Sequence, residues 1–170
     1  MKRFDMIGFA AALDAARRAK GLTWPALAVE MNRPFEGTPS IPISPSTLRS
    51  MTAKRSVTSA VVLQALAWLG RAPESFLVGS SSHPVPQQEL PLSGPGRVLR
   101  FDTRAMHAEI DQQRRVRNLS WKEVAEQLPG FTASMLTNLA GGPLIGFPRV
   151  MFITQWLERP AAHFVRVVSR

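Results

Sequence analysis

The sequence predicts an all-α protein built from two tandem five-helix units, on the strength of three observations. The chain repeats itself once, and all four Trp residues fall at matching positions of the two copies. Helix-capping residues precede short amphipathic segments in both copies. No segment alternates apolar and polar residues over the length of a strand, so we expect no sheet.

The repeat emerges when the chain is compared with shifted copies of itself. A shift of 97 positions places residues 4–28 on 101–125, and a shift of 88 positions places residues 44–76 on 132–164. The two shifts differ by nine, so the first copy holds about nine extra residues between its halves. They lie within residues 32–43, a stretch rich in Pro that predicts a loop.

Domain boundaries follow from the repeat and from composition. Residues 1–79 are predicted to form the first domain and residues 98–170 the second. Residues 80–97 lie between them and are rich in Ser, Pro and Gly, which is typical of a linker.

The first copy predicts five short helices, and 6–19 is the first of them. Thr23 and Ser44 are good N-caps for helices two and three. Helix four is predicted over 60–69, and 73–77 should form a final turn.

The second copy repeats this pattern. Ser120 with Glu123 three residues later has the signature of a capping box in front of helix two, and Thr132 caps helix three. The five predicted elements of this copy are 105–117, 121–128, 133–139, 147–157 and 161–165.

Charge and composition limit the classes of function. The net charge is +9 and the isoelectric point about 11.5, so the surface should attract polyanions such as nucleic acid. The chain has no Cys, which excludes disulfides and cysteine-based zinc sites. No apolar run approaches the roughly 20 residues that span a bilayer, and no secretion signal is evident. We therefore expect a cytoplasmic, nucleoid-associated protein without membrane contact.

Nothing in the sequence indicates an enzyme. His83, His107 and His163 show no metal-ligand spacing, so we expect no metal site and interpret all three as structural or solvated. There is no nucleophile motif, phosphate-binding loop or dinucleotide fingerprint, so no cofactor is expected.

Several strings resemble the lambda-repressor-like, or XRE-type, helix-turn-helix family. RRAKGLTW at 17–24 is similar to its helices one and two, while STL at 46–48 and VLQALAWLG at 62–70 are similar to helices three and four. The second copy fits through LSW at 119–121 and SML at 134–136. The resemblance covers most of both copies and implies two helix-turn-helix domains in a transcriptional regulator, expected to be a repressor.

In that family helix three enters the major groove, so the resemblance implies which residues read DNA. Arg49 could bond a guanine and Asn138 an adenine, with a solvated helix face and helix C-capping as the respective alternatives. The implied reading positions are Pro45, Ser46, Arg49 and Ser50 in copy one, and Ala133, Ser134, Thr137 and Asn138 in copy two. Ser44, which caps helix three, is also expected to bind DNA.

The resemblance also implies contacts to phosphate. The capped starts of helix two present free N–H groups, and cations near the helices add to them. Two tryptophans stand where the family has Gln, and they either pack on the sugar-phosphate backbone or close the core. The residues concerned are Thr23, Trp24, Lys54 and Arg55 in copy one, and Ser120, Trp121 and Lys122 in copy two.

Two other functions stay open at this point. Copy one is basic around helix three, at Arg49, Lys54 and Arg55, which favours double-stranded DNA. Copy two is nearly neutral there, which leaves open a protein partner for that half, an adaptor role for the whole chain, or homodimerisation. A nucleoid-type binder without sequence preference is the third reading. The sequence does not decide whether a two-fold axis or a translation relates the copies.

Overall fold

The structure is a computed structural model, and it describes residues 1–54, 57–141 and 145–169. The helices of the described residues are α1 Met6–Ala19, α2 Trp24–Asn32, α3 Pro45–Arg49, α4 Ser59–Leu69, α5 Thr103–Val116, α6 Trp121–Gln127, α7 Ala133–Thr137 and α8 Val150–Trp156. The strands are β1 Arg3–Phe4, β2 Val57–Thr58, β3 Leu77–Val78, β4 Arg97–Phe101, β5 Gly146–Phe147 and β6 Val165–Ser169. Short 3₁₀ helices cover Arg33–Phe35, Met51–Ala53, Pro73–Phe76 and Ala161–Phe164.

The prediction of an all-α fold is wrong. The structure is about 52% helical, but it also contains three two-stranded antiparallel sheets, β1–β3, β2–β5 and β4–β6. Four of the six strands have only two residues, which is too short for alternation to show in the sequence. The other two, β4 and β6, lie mostly in residues 98–101 and 166–169, to which the sequence assigns no element. Their pairing depends on contacts between distant parts of the chain, which local patterns do not report.

The sheet register follows the sequence repeat. Sheet β1–β3 closes the ends of copy one, and sheet β4–β6 closes the ends of copy two. When the two shifts are applied, the residue pairs of the first sheet become pairs of the second. The first-sheet pairs are Arg3↔Val78 and Phe4↔Leu77, and their counterparts are Arg100↔Arg166 and Phe101↔Val165.

Helix bounds agree with the predictions most closely where a cap is visible in the sequence. Helix α1 has the predicted bounds, and the capping box between Ser120 and Glu123 is formed. Helix α5 begins two residues earlier than predicted because the Asp102 side chain accepts the N–H of Ala105. Helix α8 begins at Val150 rather than three residues earlier, because the chain before it forms β5.

A pseudo-two-fold axis relates the two copies at the β2–β5 sheet. Thr58 of copy one pairs with Gly146 of copy two, and the shift of 88 makes these two residues equivalent to each other. On one side Val57 pairs with Phe147, and on the other the Ser59 hydroxyl donates to the carbonyl oxygen of Ile145, the equivalent of Val57. An antiparallel strand pair in which equivalent residues face each other has a local two-fold axis between them. The sequence left this relation open.

The hydrophobic core runs through this axis. Phe147 is completely buried, and its ring centroid lies 5.0 Å from that of Phe4 and 6.0 Å from that of Phe101. Phe4 and Phe101 are equivalent residues of the two copies, so one side chain contacts both halves at the axis. Its own equivalent is Ser59, a small residue.

The segment between the copies is attached to the rest of the molecule. Glu74 of copy one is buried, and its two carboxylate oxygens accept the N–H of Gln88 at 3.1 Å and of Ala161 at 3.0 Å. Leu90 is buried, and the N–H of Gly96 donates to the carbonyl oxygen of Pro34. Burial raises the pKa of Glu74 above its ordinary value, although the backbone donors offset part of that rise. Within the described ranges no helix is long and apolar enough to cross a membrane.

Candidate nucleic-acid interface

Each copy contains a pair of contacting helices at the place where the interface is expected. Helix α2 packs on α3 in copy one, and α6 packs on α7 in copy two. The insertion in copy one does not separate its pair, because its two ends are bonded to each other. The Asn32 side chain donates to the carbonyl oxygen of Ile43 at 2.9 Å and accepts its N–H at 2.7 Å. Helix α3 therefore starts beside the end of α2 despite the extra residues.

Helix α3 presents hydroxyl groups and one cation to solvent. Ser44 caps it and accepts the N–H of Thr47 at 3.1 Å, while Ser46 is exposed one position after Pro45. Arg49 is exposed, and no ion pair among the described residues involves it. The Ser50 hydroxyl donates to the carbonyl oxygen of Ser46 at 2.6 Å, so in the free protein it is engaged within its own helix.

Lys54 follows α3 and is exposed, which leaves its ammonium group accessible to an anion. Arg55, the neighbouring residue expected to contact phosphate, lies outside the described residues. Around α3 the described surface is therefore basic, through Arg49 and Lys54.

Helix α7 presents a similar surface without charge. Ser134, Thr137 and Asn138 are all exposed, and Ala133 is half-buried at the start of the helix. Asn138 occupies the C-cap position, and its side-chain amide donates to the Ser134 hydroxyl at 3.3 Å. The Thr137 hydroxyl donates to the carbonyl oxygen of Ser134 at 3.2 Å. Asn138 thus has both features that the sequence left open: it ends the helix, and it keeps its carboxamide at the surface.

The two tryptophans at the starts of α2 and α6 are half-buried against the core. The Arg17 guanidinium lies 4.6 Å from the Trp24 ring centroid, and Arg114 lies 4.7 Å from that of Trp121. In copy two His107 also stacks on the Trp121 ring, and the centroids of the two rings are 5.2 Å apart. Both indole rings thus pack within the protein and keep part of their surface exposed.

The two helix starts differ in charge. Thr23 accepts the N–H of Ala26 and adds no charge. Ser120 instead shares its capping box with Glu123, whose carboxylate accepts the Ser120 N–H at 2.7 Å. These hydrogen bonds lower the pKa of Glu123, so the carboxylate is ionised at neutral pH. A phosphate approaching α6 would meet this negative charge beside the exposed Lys122, whereas α2 has Ala26 at the equivalent position.

Sequence reasoning missed one cation at this surface. Arg149 is exposed and precedes α8, and a side-chain carbon placed on Gly130, in the α6–α7 connection, would lie 3.5 Å from its Nε atom. Its guanidinium stem therefore lies across the turn between α6 and α7. The repeat gives no indication of Arg149, because the equivalent residue of copy one is Val61, which is uncharged.

The three histidines have separate surroundings. His163 is 2.9 Å from a Glu109 carboxylate oxygen, His107 stacks on Trp121, and His83 is exposed. The described ranges hold no group of three or more His, Asp or Glu side chains suited to a metal ion.

Comparison with protein-family models, curated proteins and solved structures finds no match to this chain. The candidate interface consists of exposed hydroxyls and one carboxamide at α3 and α7, with cations on and beside these helices.

Proposed function

We propose that this protein binds double-stranded DNA as a transcriptional regulator, with α3 and α7 in successive major grooves. The observation that supports this most strongly is the pseudo-two-fold axis between Thr58 and Gly146. It gives one chain the symmetry that two-fold DNA readers otherwise obtain by dimerisation. A net charge of +9 supplies the general attraction to phosphate.

The chain length between the axis and the reading helices is compatible with two half-sites one helical turn apart. Ser50 at the end of α3 is seven residues from Val57, a stretch that spans at most about 25 Å. The helix ends can thus be up to roughly 50 Å apart across the axis, and a separation of about 34 Å falls within that limit. The site that fits a two-fold reader is an inverted repeat.

The two half-sites should differ in sequence. Arg49 is suited to a guanine, whereas the equivalent position of copy two is Thr137. Asn138 is suited to an adenine, whereas its equivalent in copy one is Ser50. The proposed operator is therefore an imperfect inverted repeat, and occupying it near a promoter would repress transcription.

The charge difference between the copies supports an unequal division of the binding energy. At this surface copy one has Arg49 and Lys54, whereas in copy two the charge of Glu123 offsets part of that of Lys122 and Arg149. Most of the phosphate attraction is assigned to copy one. Met135, which is 37% exposed on the uncharged α7, favours a protein partner for copy two as the second candidate.

The decisive experiment is a salt titration of binding to random and to selected duplex DNA. Duplexes enriched from a random pool should bind about 10³-fold or more tightly than random DNA and should contain two dissimilar half-sites in inverted orientation. Equal and salt-sensitive binding to both would identify a nonspecific nucleoid-type protein. Absence of binding at about 50 mM salt would overturn the DNA proposal and leave the adaptor.

A further inference from the structure

A cavity of about 620 Å³ lies where the start of copy one, the segment between the copies and copy two meet. The Gln155 amide fixes one wall, because it accepts the Lys2 N–H at 3.0 Å and donates to the Lys2 carbonyl oxygen at 2.8 Å. Small-molecule sites occur preferentially at junctions of this kind. The lining comes from Met1, residues 80–86, Arg117 at the end of α5, and Gln155, Trp156 and Glu158 at the end of α8.

Two opposite charges line this cavity, and neither has an ion-pair partner. Arg117 and Glu158 are both exposed, and no ion pair among the described residues involves either of them. The Arg117 guanidinium lies 4.6 Å from the centroid of the Trp156 ring, a cation–π contact that leaves its N–H donors available. Arg117 and Glu158 thus contribute to the same cavity, but they are too far apart to pair with each other.

Glu158 has a backbone conformation that a side chain rarely adopts. Its φ is 57°, in the left-handed region, and the equivalent residue of copy one is Gly70, with a φ of 66°. Glycine ends α4 at this position without steric cost, whereas a residue with a Cβ is strained there. Asn118 also has a positive φ, but Asn is among the residues that tolerate this region. Strain of this kind clusters at ligand sites, so it singles out the Glu158 carboxylate.

We infer that this cavity binds a small zwitterion of the amino-acid type. The Arg117 guanidinium binds its carboxylate, because the planar donors of Arg match that group, and the Glu158 carboxylate binds its ammonium group. Its side chain lies against the apolar part of the lining, to which Val85 and Trp156 belong. Copy one has no such site at the equivalent place, because Gly70 supplies no carboxylate. The inference does not depend on the proposed DNA binding.

Binding is tested by ¹⁹F NMR of the full chain labelled with 5-fluorotryptophan, because Trp156 lines the cavity and its equivalent Trp68 does not. The probes are glycine, alanine, valine, leucine, methionine and proline. Each is compared with its amide, which lacks the carboxylate, and with its N-acetyl derivative, which lacks the ammonium group. At least one amino acid should shift the Trp156 signal in a saturable way below about 10 mM, leave the Trp68 signal in place and bind about tenfold more tightly than both derivatives.

Two results of this titration would contradict the inference. If no amino acid gives a saturable shift of the Trp156 signal, the site is overturned. If an amino acid and either of its derivatives bind equally well, the cavity does not recognise both charges and the zwitterion is overturned.

Two variants and their matched controls locate the ligand. Arg117→Gln should weaken binding about tenfold, whereas Lys20→Gln should leave it unchanged, since Lys20 is the equivalent cation of copy one and lies 4.7 Å from the Trp68 ring centroid. Glu158→Gln should also weaken binding about tenfold, whereas Glu36→Gln, at an exposed carboxylate of the insertion, should not. If either variant weakens binding no more than its control, with all four folded by circular dichroism, the zwitterion is overturned.

The strain at Glu158 is tested by comparing Glu158→Gly with Glu158→Gln. Both variants lack the charge, and they differ in how well they tolerate the left-handed backbone. Glu158→Gly should unfold at a midpoint about 2–4 °C higher than Glu158→Gln and should bind the amino acid no better. An equal or lower midpoint would contradict the strain that singles out Glu158, and wild-type affinity in Glu158→Gly would overturn the role of its carboxylate.

Discussion

Phe147→Ala should destabilise both copies together, because this side chain contacts equivalent residues of each at the pseudo-two-fold axis. Truncating a fully buried Phe to Ala costs about 3–5 kcal/mol. The lost ring contacts with Phe4 and Phe101 place the expected value in the upper part of that range, about 4–5 kcal/mol. For a chain of this length the midpoint of thermal unfolding should fall by about 8–20 °C.

The assay must report on each copy separately. Incorporation of 5-fluorotryptophan gives ¹⁹F signals from Trp24 and Trp68 in copy one and from Trp121 and Trp156 in copy two. Unfolding in guanidinium chloride should lower all four native signals along one curve, in the wild type and in Phe147→Ala. Phe147 belongs to copy two by sequence. Copies that folded independently would therefore lose stability only at the copy-two tryptophans.

Phe131→Ala is the matched control, because Phe131 is also buried but lies at the α6–α7 turn inside copy two. If the axis joins the copies into one cooperative unit, this substitution should also shift all four signals together. A curve that moves for Trp121 and Trp156 while Trp24 and Trp68 keep the wild-type midpoint would refute the reasoning. So would a loss below about 1 kcal/mol in Phe147→Ala.

Three further predictions follow from single side chains. Glu123→Gln removes a negative charge at the start of α6, so DNA affinity should rise severalfold in a fluorescence-anisotropy titration; an unchanged affinity would mean that no phosphate lies there. Arg149→Gln should reduce the slope of log K against log salt by about 0.9, whereas Arg71→Gln, at the far end of α4, should not; equal slopes for both would remove Arg149 from the interface. The pKa of Glu74 is higher in the folded chain than in the unfolded chain, where it is 4.5. The contribution of Glu74 to stability is therefore fully present below pH 4.5 and is lost as pH rises through the folded pKa. The free-energy advantage of the wild type over Glu74→Gln, measured by denaturant unfolding, should therefore shrink from pH 4 to pH 7, and a pH-independent difference would contradict the buried carboxylate.

Features set by local chemistry were predictable from the sequence. The caps at Thr23, Ser44 and Ser120 each accept the expected backbone N–H, because a capping bond involves residues only a few positions apart. The repeat also holds for side-chain hydrogen bonds between distant residues, which local sequence patterns do not predict. The Trp68 indole donates to Glu30, and at the equivalent positions the Trp156 indole donates to Gln127.

Features that join distant residues were not predictable. Strand β2 has two residues, and it exists because it meets β5 about ninety positions later in the chain. The same holds for the candidate interface: Arg149 lies beside Gly130 only after α8 has folded back onto the α6–α7 turn. Sequence reasoning names candidate residues on α3 and α7, but it has no means to name a candidate supplied from another element.

One difference between the copies lies where a symmetric dimer would be constrained. At the axis, Phe147 fills the space between the halves, and its equivalent Ser59 is small and donates a hydrogen bond instead. Two Phe side chains at this place would compete for one volume, and two Ser side chains would leave it unfilled. A homodimer has to use the same residue twice, whereas a duplicated chain can divide the two roles. The same freedom allows Ala26 and Glu123 to give the two helix starts different charges.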